Sequence, residues 1–366
     1  MRRSAWPIIS FLWLPALLIV IPGLSGVAEA QRTPTISNPT PLSNPTAYWT
    51  PATMAAAVPM DLVRPGAPTP ASAPASLAPG PPGGAGGSLP GEEVNVGPGL
   101  RPELSGTGPT PADGSYPGPH DTYEYGPRYR TYPISTVGKL FFTQPGVGNF
   151  VCSAAVTTGG APRNIIWTAG HCVANGGAST FYTNWLFCPS YDSSQGGVNP
   201  AVGCWSWSSA STNTDSFNNG RLTRDYAVVG LQSTGTVWAT DVANVTGGLG
   251  FAWNQARDQH WHHYGYPAAA PYTGGKIIAT TTEHRFDDSP DGIFVFPYTN
   301  SWGSDQTGGS SGSSLIKAFS YVGGGNWINS NVSYGYVGQP GELYGPYFDT
   351  TTCNFWKSTT AWPGTC

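Results

Sequence analysis

The chain has 366 residues, with 36 prolines and 49 glycines, both above ordinary usage and unevenly spread. Charged residues make up 10% and the formal net charge is -4, so no basic field is available to neutralise a phosphate backbone, and nucleic acid is excluded as an expected partner. Between Gln31 and Arg130 lie 21 of the 36 prolines, which leaves about 236 residues for folding: enough for one compact all-β unit, too few for two large domains.

Taken in chain order, Arg2 and Arg3 precede an apolar run from about Ile8 to Val27, and Ala28-Glu29-Ala30 supplies a small-x-small cleavage pattern. Residues 1–30 therefore read as a signal peptide cut after Ala30. The rival is an uncleaved anchor, but Pro15 and Pro22 interrupt the run. No other segment approaches 18 consecutive apolar residues, so no membrane span is expected once the leader is removed.

Residues 31–130 form a Pro/Gly-rich, low-complexity segment. Stretches such as Ala71 to Gly87 carry few aromatics and cannot bury enough apolar surface to offset their ordering entropy, so disorder or a loose pro-segment is expected. A propeptide, cut near Arg128 or Arg130, and a plain linker both fit that composition.

From Tyr132 the texture changes to short runs rich in Val, Ile, Tyr, Phe and Trp between Gly, Asn, Ser and Pro clusters. The expected strands are Gly138 to Thr143, Phe150 to Thr157, Asn164 to Ala169, Tyr226 to Leu231, Trp261 to Tyr266, Lys276 to Thr281, Gly292 to Phe296, Ser314 to Lys317 and Ser333 to Val337. No long segment shows a convincing helical period, and residues 131–366 read as an antiparallel barrel or sandwich. All six cysteines, Cys152, Cys172, Cys188, Cys204, Cys353 and Cys366, fall here; an even count in an exported chain reads as disulfides. Six cysteines allow 15 connectivities. Sequential pairing is the simplest, and a zinc site is disfavoured because no Cys-x-x-Cys spacing occurs.

Three local patterns carry chemistry. Thr168-Ala169-Gly170-His171-Cys172 places a histidine at a strand end, beside a cysteine that can anchor its turn. Arg224-Asp225-Tyr226-Ala227-Val228-Val229 heads an apolar run with an acid. Thr307-Gly308-Gly309-Ser310-Ser311-Gly312-Ser313 surrounds serines with glycines that let the backbone turn sharply and aim two N–H groups at one point. Each has an ordinary structural reading alone. Their order, His171, Asp225, Ser311, matches that of the chymotrypsin triad, whereas all six histidines precede Ser311, which excludes the Ser, acid, His order of an α/β-hydrolase.

Together with Phe150-Val151-Cys152-Ser153-Ala154-Ala155, Gly265-Tyr266-Pro267 and Ser333-Tyr334-Gly335, these motifs resemble the trypsin-like serine endopeptidases, and most nearly their secreted microbial branch that includes the glutamyl endopeptidases. The resemblance covers about Tyr132 to Val337. It implies two six-stranded antiparallel β-barrels with the active site in the cleft between them. It implies Ser311 as nucleophile, His171 as base, Asp225 as the acid that orients it, and the N–H groups of Gly309 and Ser311 as the oxyanion hole. It further implies Ser333, Tyr334 and Gly335 as the strand that pairs with substrate, and a Cys152–Cys172 bridge. The expected activity is hydrolysis of peptide bonds in protein or peptide substrates by a secreted, extracellular monomer, with no cofactor and no metal.

Two departures bear on specificity and activation. Asp305 lies six residues before Ser311, where trypsins carry the acid that selects Arg or Lys, although no cysteine stands between them here. Val332 precedes Ser333 where glutamate-selective relatives tend to place a histidine, with His260, His262, His263 and His284 elsewhere in the sequence. Ser310 occupies the position where animal enzymes carry an Asp that pairs with a freed N-terminus. If residues 31–130 are a propeptide, activation is expected to work by unblocking or by folding assistance. His260, His262 and His284 could be imagined around a metal, but no ligand spacing supports it and an aromatic strand is the expected reading. Of the sequons at Asn244 and Asn331, the second would put a glycan beside the substrate strand and is discounted. Two other classes are an inactive homologue that binds protein or carbohydrate, and a surface protein in which the Pro-rich stretch is the working part.

Overall fold

The computed structural model describes residues 33–38, 47–68, 87–89, 91–92, 111–112, 120–159, 163–321 and 324–366. The expected signal peptide and all of Ala71 to Gly87 except Gly87 lie outside the described residues. The fold is all-β, with two lobes.

The first lobe is built from β1 (Val137–Gln144), β2 (Gly148–Thr157), β3 (Ile165–Thr168), β4 (Thr183–Pro189), β5 (Trp205–Thr212) and β6 (Ala227–Leu231). They pair in the order β5-β4-β1-β2-β3-β6, and β6 pairs back with β5, closing a six-stranded antiparallel barrel. Period-2 positions fill its interior: Leu140 and Phe142, Cys152, Ala154 and Val156, Trp185 and Phe187, Ala227 and Val229. The alternate residues Val137, Ala155, Ile165, Trp167 and Val228 face outward yet are buried, because the second lobe packs on them. This double coverage is why these strands read as nearly continuous apolar runs.

The second lobe is built from β7 (Gly250–Trp253), β8 (His260–Gly265), β9 (Ile278–Asp288), β10 (Thr299–Gly303), β11 (Ser314–Lys317), β12 (Trp327–Asn331), β13 (Tyr334–Tyr336) and β14 (Gln339–Gly345). Their order is β13-β14-β10-β9-β8-β11-β12-β7, within a larger sheet of 12 strands.

The extra strands come from residues 31–130. Val63–Arg64 lies beside β13, Gly87–Leu89 beside β7 and His120–Glu124 beside β9, while Thr35–Ser37 and Val58–Pro59 pair with β5 and β2 of the barrel. The expectation of disorder thus gives way to order at these stretches. Nearby apolar residues anchor them: Trp49 and Met54 are buried, and Met60 and Leu62 pack on the lobes.

Two further expectations are corrected. Gly292 to Phe296 is not a strand: Ile293, Phe294 and Phe296 are 53%, 75% and 42% exposed, in a turn where Gly292 takes φ +110° and Pro297 follows. A helix does form, over Thr350–Thr360, started by an Asp349 and Thr352 capping box and pinned by Cys353–Cys366. It buries Cys353, Phe355 and Trp356 against Trp167, Tyr226 and Phe251 at the junction of the lobes. The other bridges are Cys152–Cys172 and Cys188–Cys204, so pairing is sequential. No helix among the described residues is long and apolar enough to cross a membrane.

Candidate active site

His171 sits on a single 3-10 turn, Gly170–Cys172, that leaves the end of β3. Its backbone N–H donates to Asp225 Oδ1 at 2.8 Å, and its Nδ1 lies 2.7 Å from Asp225 Oδ2. This double bond requires Asp225 to approach the turn closely, and Gly170 permits it: a Cβ there would lie 2.8 Å from Asp225 Oδ1 and 2.6 Å from Ser216 Oγ. The Cys152–Cys172 bridge ties the turn to β2. With Nδ1–H committed to the carboxylate, Nε2 carries the ring's free lone pair. That atom is buried and has no hydrogen-bond partner among the described residues.

Asp225 ends the turn Leu222–Arg224 and is 2% exposed. Besides His171 it accepts a 2.6 Å bond from Ser333 Oγ. The preceding Arg224 donates from both Nη atoms to Asp349, each at 2.8 Å, so the cap of the C-terminal helix also fixes the acid's turn. Burial alone would raise the Asp349 carboxyl. Bonds from Arg224 and Thr352 outweigh it and hold the group below the ordinary carboxylate value.

Ser311 comes from the second lobe, on a turn in which Gly309 and Gly312 take φ +95° and +82°. A Cβ on Gly312 would lie 2.1 Å from Thr168 Oγ1 and 2.4 Å from Ser153 O, so only glycine lets this turn wedge against β2 and β3. Ser153 stitches the two lobes here. Its N–H donates to Ser311 O, its Oγ donates to Gly309 O, and it accepts from the Tyr266 N–H. The Ser311 carbonyl oxygen is 3.7 Å from Cys172 Sγ, so the serine and histidine turns abut. A serine hydroxyl on such a turn, abutting the turn that carries His171, is the kind of group an imidazole activates for attack on an electrophilic carbonyl, although no hydrogen bond joins the two side chains among the described residues.

A cleft of about 480 Å³ opens beside Ser311, lined among others by Asp305, Ser333, Tyr334, Gly335 and Glu342. Asp305 is also 3.4 Å from His120 Nε2. Glu342 is 2% exposed and accepts from Arg285 Nη1 and Gln339 Nε2; burial raises its carboxyl pKa against the pull of Arg285. None of His260, His262, His263 and His284 lines this cleft. His263 is fully buried, His262 stacks on Phe319, and His284 Nε2 lies 2.9 Å from Asp287.

Sequence reasoning missed three contributors. Ser153 and Asn331 give no signal, since their roles depend on contacts across 158 and 106 positions of chain, as in Ser153–Ser311 and Asn331–Asp225. Asn331 donates to Asp225 O and accepts from Trp167 Nε1 while wholly buried, so its sequon cannot carry a glycan in the fold. Ser333 was read only for main-chain pairing with substrate; its side chain also donates to Asp225 Oδ2.

A two-lobed β fold with a glycine-turn serine beside a His–Asp pair defines the class of serine hydrolases. No family model and no curated protein matches the chain. Among solved structures, the thermostable serine protease AL20 from an extremophilic microorganism aligns with a TM-score of 0.54 at 31% identity, over 62% of this chain and 97% of its own. Protease Anisep from Arthrobacter nicotinovorans gives a TM-score of 0.55 at 30% identity, over 63% of this chain and 97% of its own. The chain belongs to the trypsin-like serine proteases of chymotrypsin fold.

Proposed function

We propose that the protein is a secreted endopeptidase that cleaves protein substrates through an acyl-enzyme formed on Ser311. The observation that carries this is the His171 Nδ1 to Asp225 Oδ2 bond at 2.7 Å, formed in the first lobe beside the serine turn of the second. Ser311 attacks the scissile carbonyl while His171 Nε2 takes its proton and returns it to the leaving amine. Asp225 keeps the proton of His171 on Nδ1 and stabilises the imidazolium. The N–H groups of Gly309 and Ser311 receive the oxyanion, a contribution of about 3 to 4 kcal/mol per donor in serine proteases generally. Residues 131–366 are then the catalytic unit and 31–130 a pro-segment. Asp305 on the cleft wall favours substrates with Arg or Lys before the cut, by a charge-assisted contact.

The test is a fluorophosphonate probe followed by peptide mass spectrometry. An adduct on Ser311 that disappears in Ser311→Ala and His171→Ala is the expected result. Casein hydrolysis without an adduct on Ser311 overturns the mechanism. A peptide library read at the residue before the cut decides Asp305: preference for Glu or apolar residues removes it.

A further inference from the structure

The cleft that should receive substrate already holds a piece of this chain. Residues 58–64 read Val-Pro-Met-Asp-Leu-Val-Arg, and from Asp61 onward they alternate exposed and half-buried, the pattern of a strand laid in a groove. Val58 and Pro59 run parallel to Phe150 and Val151 of β2, and the Met60 N–H donates to Val151 O. The Met60 carbonyl then accepts the Gly309 N–H at 3.1 Å. That donor is one of the two assigned above to the oxyanion.

Downstream, Leu62 O accepts from Gly335 N–H at 3.1 Å, Arg64 O from Val337 N–H at 3.0 Å and Gly66 O from Gly338 N–H at 3.0 Å, a parallel ladder along β13. Leu62 packs among Leu222, Tyr334, Tyr336 and Tyr344. The Arg64 guanidinium sits 5.9 and 5.8 Å from the rings of Tyr334 and Tyr336, and its Nη2 donates to Pro290 O. Asp61 lies between these anchors, packed on Gly308, where an added Cβ would come within 2.8 Å of its own Cβ. Burial raises its carboxyl pKa, against the opposing pull of His171. Upstream the segment is held by Trp49, which is buried and donates from Nε1 to Asn184 O.

The geometry points to Val58–Arg64 as an intramolecular inhibitor: it takes the Gly309 and Gly335 N–H groups that a substrate backbone needs, and so closes the site until it is displaced. This rests on the reading of Ser311 as the reactive serine. It accounts for an enzyme with Ser310 before that serine: activation follows from unblocking the cleft, with no new ion pair to form. It also identifies the peptide that fits the cleft in trans, since adding a strand to β13 uses main-chain bonds for affinity and the tyrosine-lined seat for the leucine.

The test uses the full chain. Wild type should label slowly with a fluorophosphonate. Leu62→Asp, which puts a carboxylate among the tyrosines, should label at Ser311 about tenfold faster or more, because the reactive fraction rises as the strap opens. Since that variant can misfold, a second chain carries the recognition sequence of an orthogonal protease inserted after exposed Ala67, past the last bond of the ladder. It should label at the wild-type rate until cut after folding, then faster. Independently of chemistry, a dye-tagged Ala57–Pro65 peptide should raise its fluorescence anisotropy on a Ser311→Ala, Leu62→Asp chain and not on Ser311→Ala with the native strap. Equal labelling in all chains, peptide binding that ignores the strap, or a Met60–Asp61 bond found cut in folded wild type overturns the proposal. Strap-dependent peptide binding with no labelling of Ser311 in any chain leaves the strap standing and overturns the assignment of Ser311 instead.

Discussion

The two lobes hold the candidate triad by different means. The first is a closed barrel with an apolar interior and two of the three disulfides, and it presents His171 and Asp225 through short turns fixed at both ends. The second is a larger sheet that borrows strands from residues 31–130. Its polar interior includes Asp288, which accepts from the hydroxyls of Tyr334 and Tyr336. It presents Ser311 on a glycine turn and forms the cleft. The difference teaches that the His171–Asp225 pair is pre-set within one lobe, whereas Ser311 and the cleft beside it are set by contacts that cross to the other lobe and to the N-terminal segment.

The largest effects should come from the residues that bridge the lobes chemically. In the unblocked enzyme, Ser311→Ala or His171→Ala should each lower kcat by about 10⁶, and the double variant by no more, because the pair acts as a unit. Asp225→Asn should cost about 10⁴, since it leaves His171 in the wrong tautomer. Simple multiplication of the single losses, measured with a chromogenic peptide, would break the picture of one constellation split between two lobes.

Gly312→Ala tests the wedge between lobes. Its methyl would meet Thr168 Oγ1 and Ser153 O at a φ that L side chains rarely adopt, so a loss of about 2 to 5 kcal/mol is expected by denaturant unfolding. Activity should fall with it, while a wild-type midpoint would show that the turn does not depend on the first lobe. Asp349→Ala should cost about 3 kcal/mol, because it removes a helix cap and leaves Arg224 buried without its carboxylate. Opening Cys152–Cys172 by a double alanine variant should cost a similar ~3 kcal/mol and lower kcat more than KM changes, as the His171 turn loosens.

Much of this was legible in the sequence, and the failures share a cause. The motif residues announce themselves because mechanism demands particular types at fixed places, and β2, β3, β6 and β11 stand out through β-branched and aromatic runs. β5 was missed because Trp205–Thr212, WSWSSAST, is mostly serine and threonine, and burial comes from its partners β4 and β6 rather than its own composition. The C-terminal helix was missed because TTTCNFWKSTT has poor helix propensity; its cap, its disulfide and the aromatic contacts of Phe355 and Trp356 supply what propensity lacks. The segment 31–130 was read by its average. Local order there follows from a few apolar side chains and from sheet edges that no window of sequence contains.

A further effect separates the lobes by pH. The barrel strands and their turns, residues 137–231, contain His171 alone, whereas the second lobe carries His260, His262, His263 and His284. His263 on β8 is wholly buried, and burial lowers its pKa to about 3; burial, helped by the charge of His260, lowers that of His262 to about 4. An unfolded histidine titrates near 6.5, so between there and the folded values the unfolded chain binds more protons than the native one. Stability is therefore fully present above about pH 6.5 and declines as pH falls toward 3, by up to about 1.4 kcal/mol per pH unit for His263. His263→Gln should flatten this acid limb in urea unfolding between pH 6.5 and 4. An unchanged slope in that variant would mean that the acid sensitivity arises elsewhere, and the contrast between a closed apolar barrel and an open polar sheet would lose its pH signature.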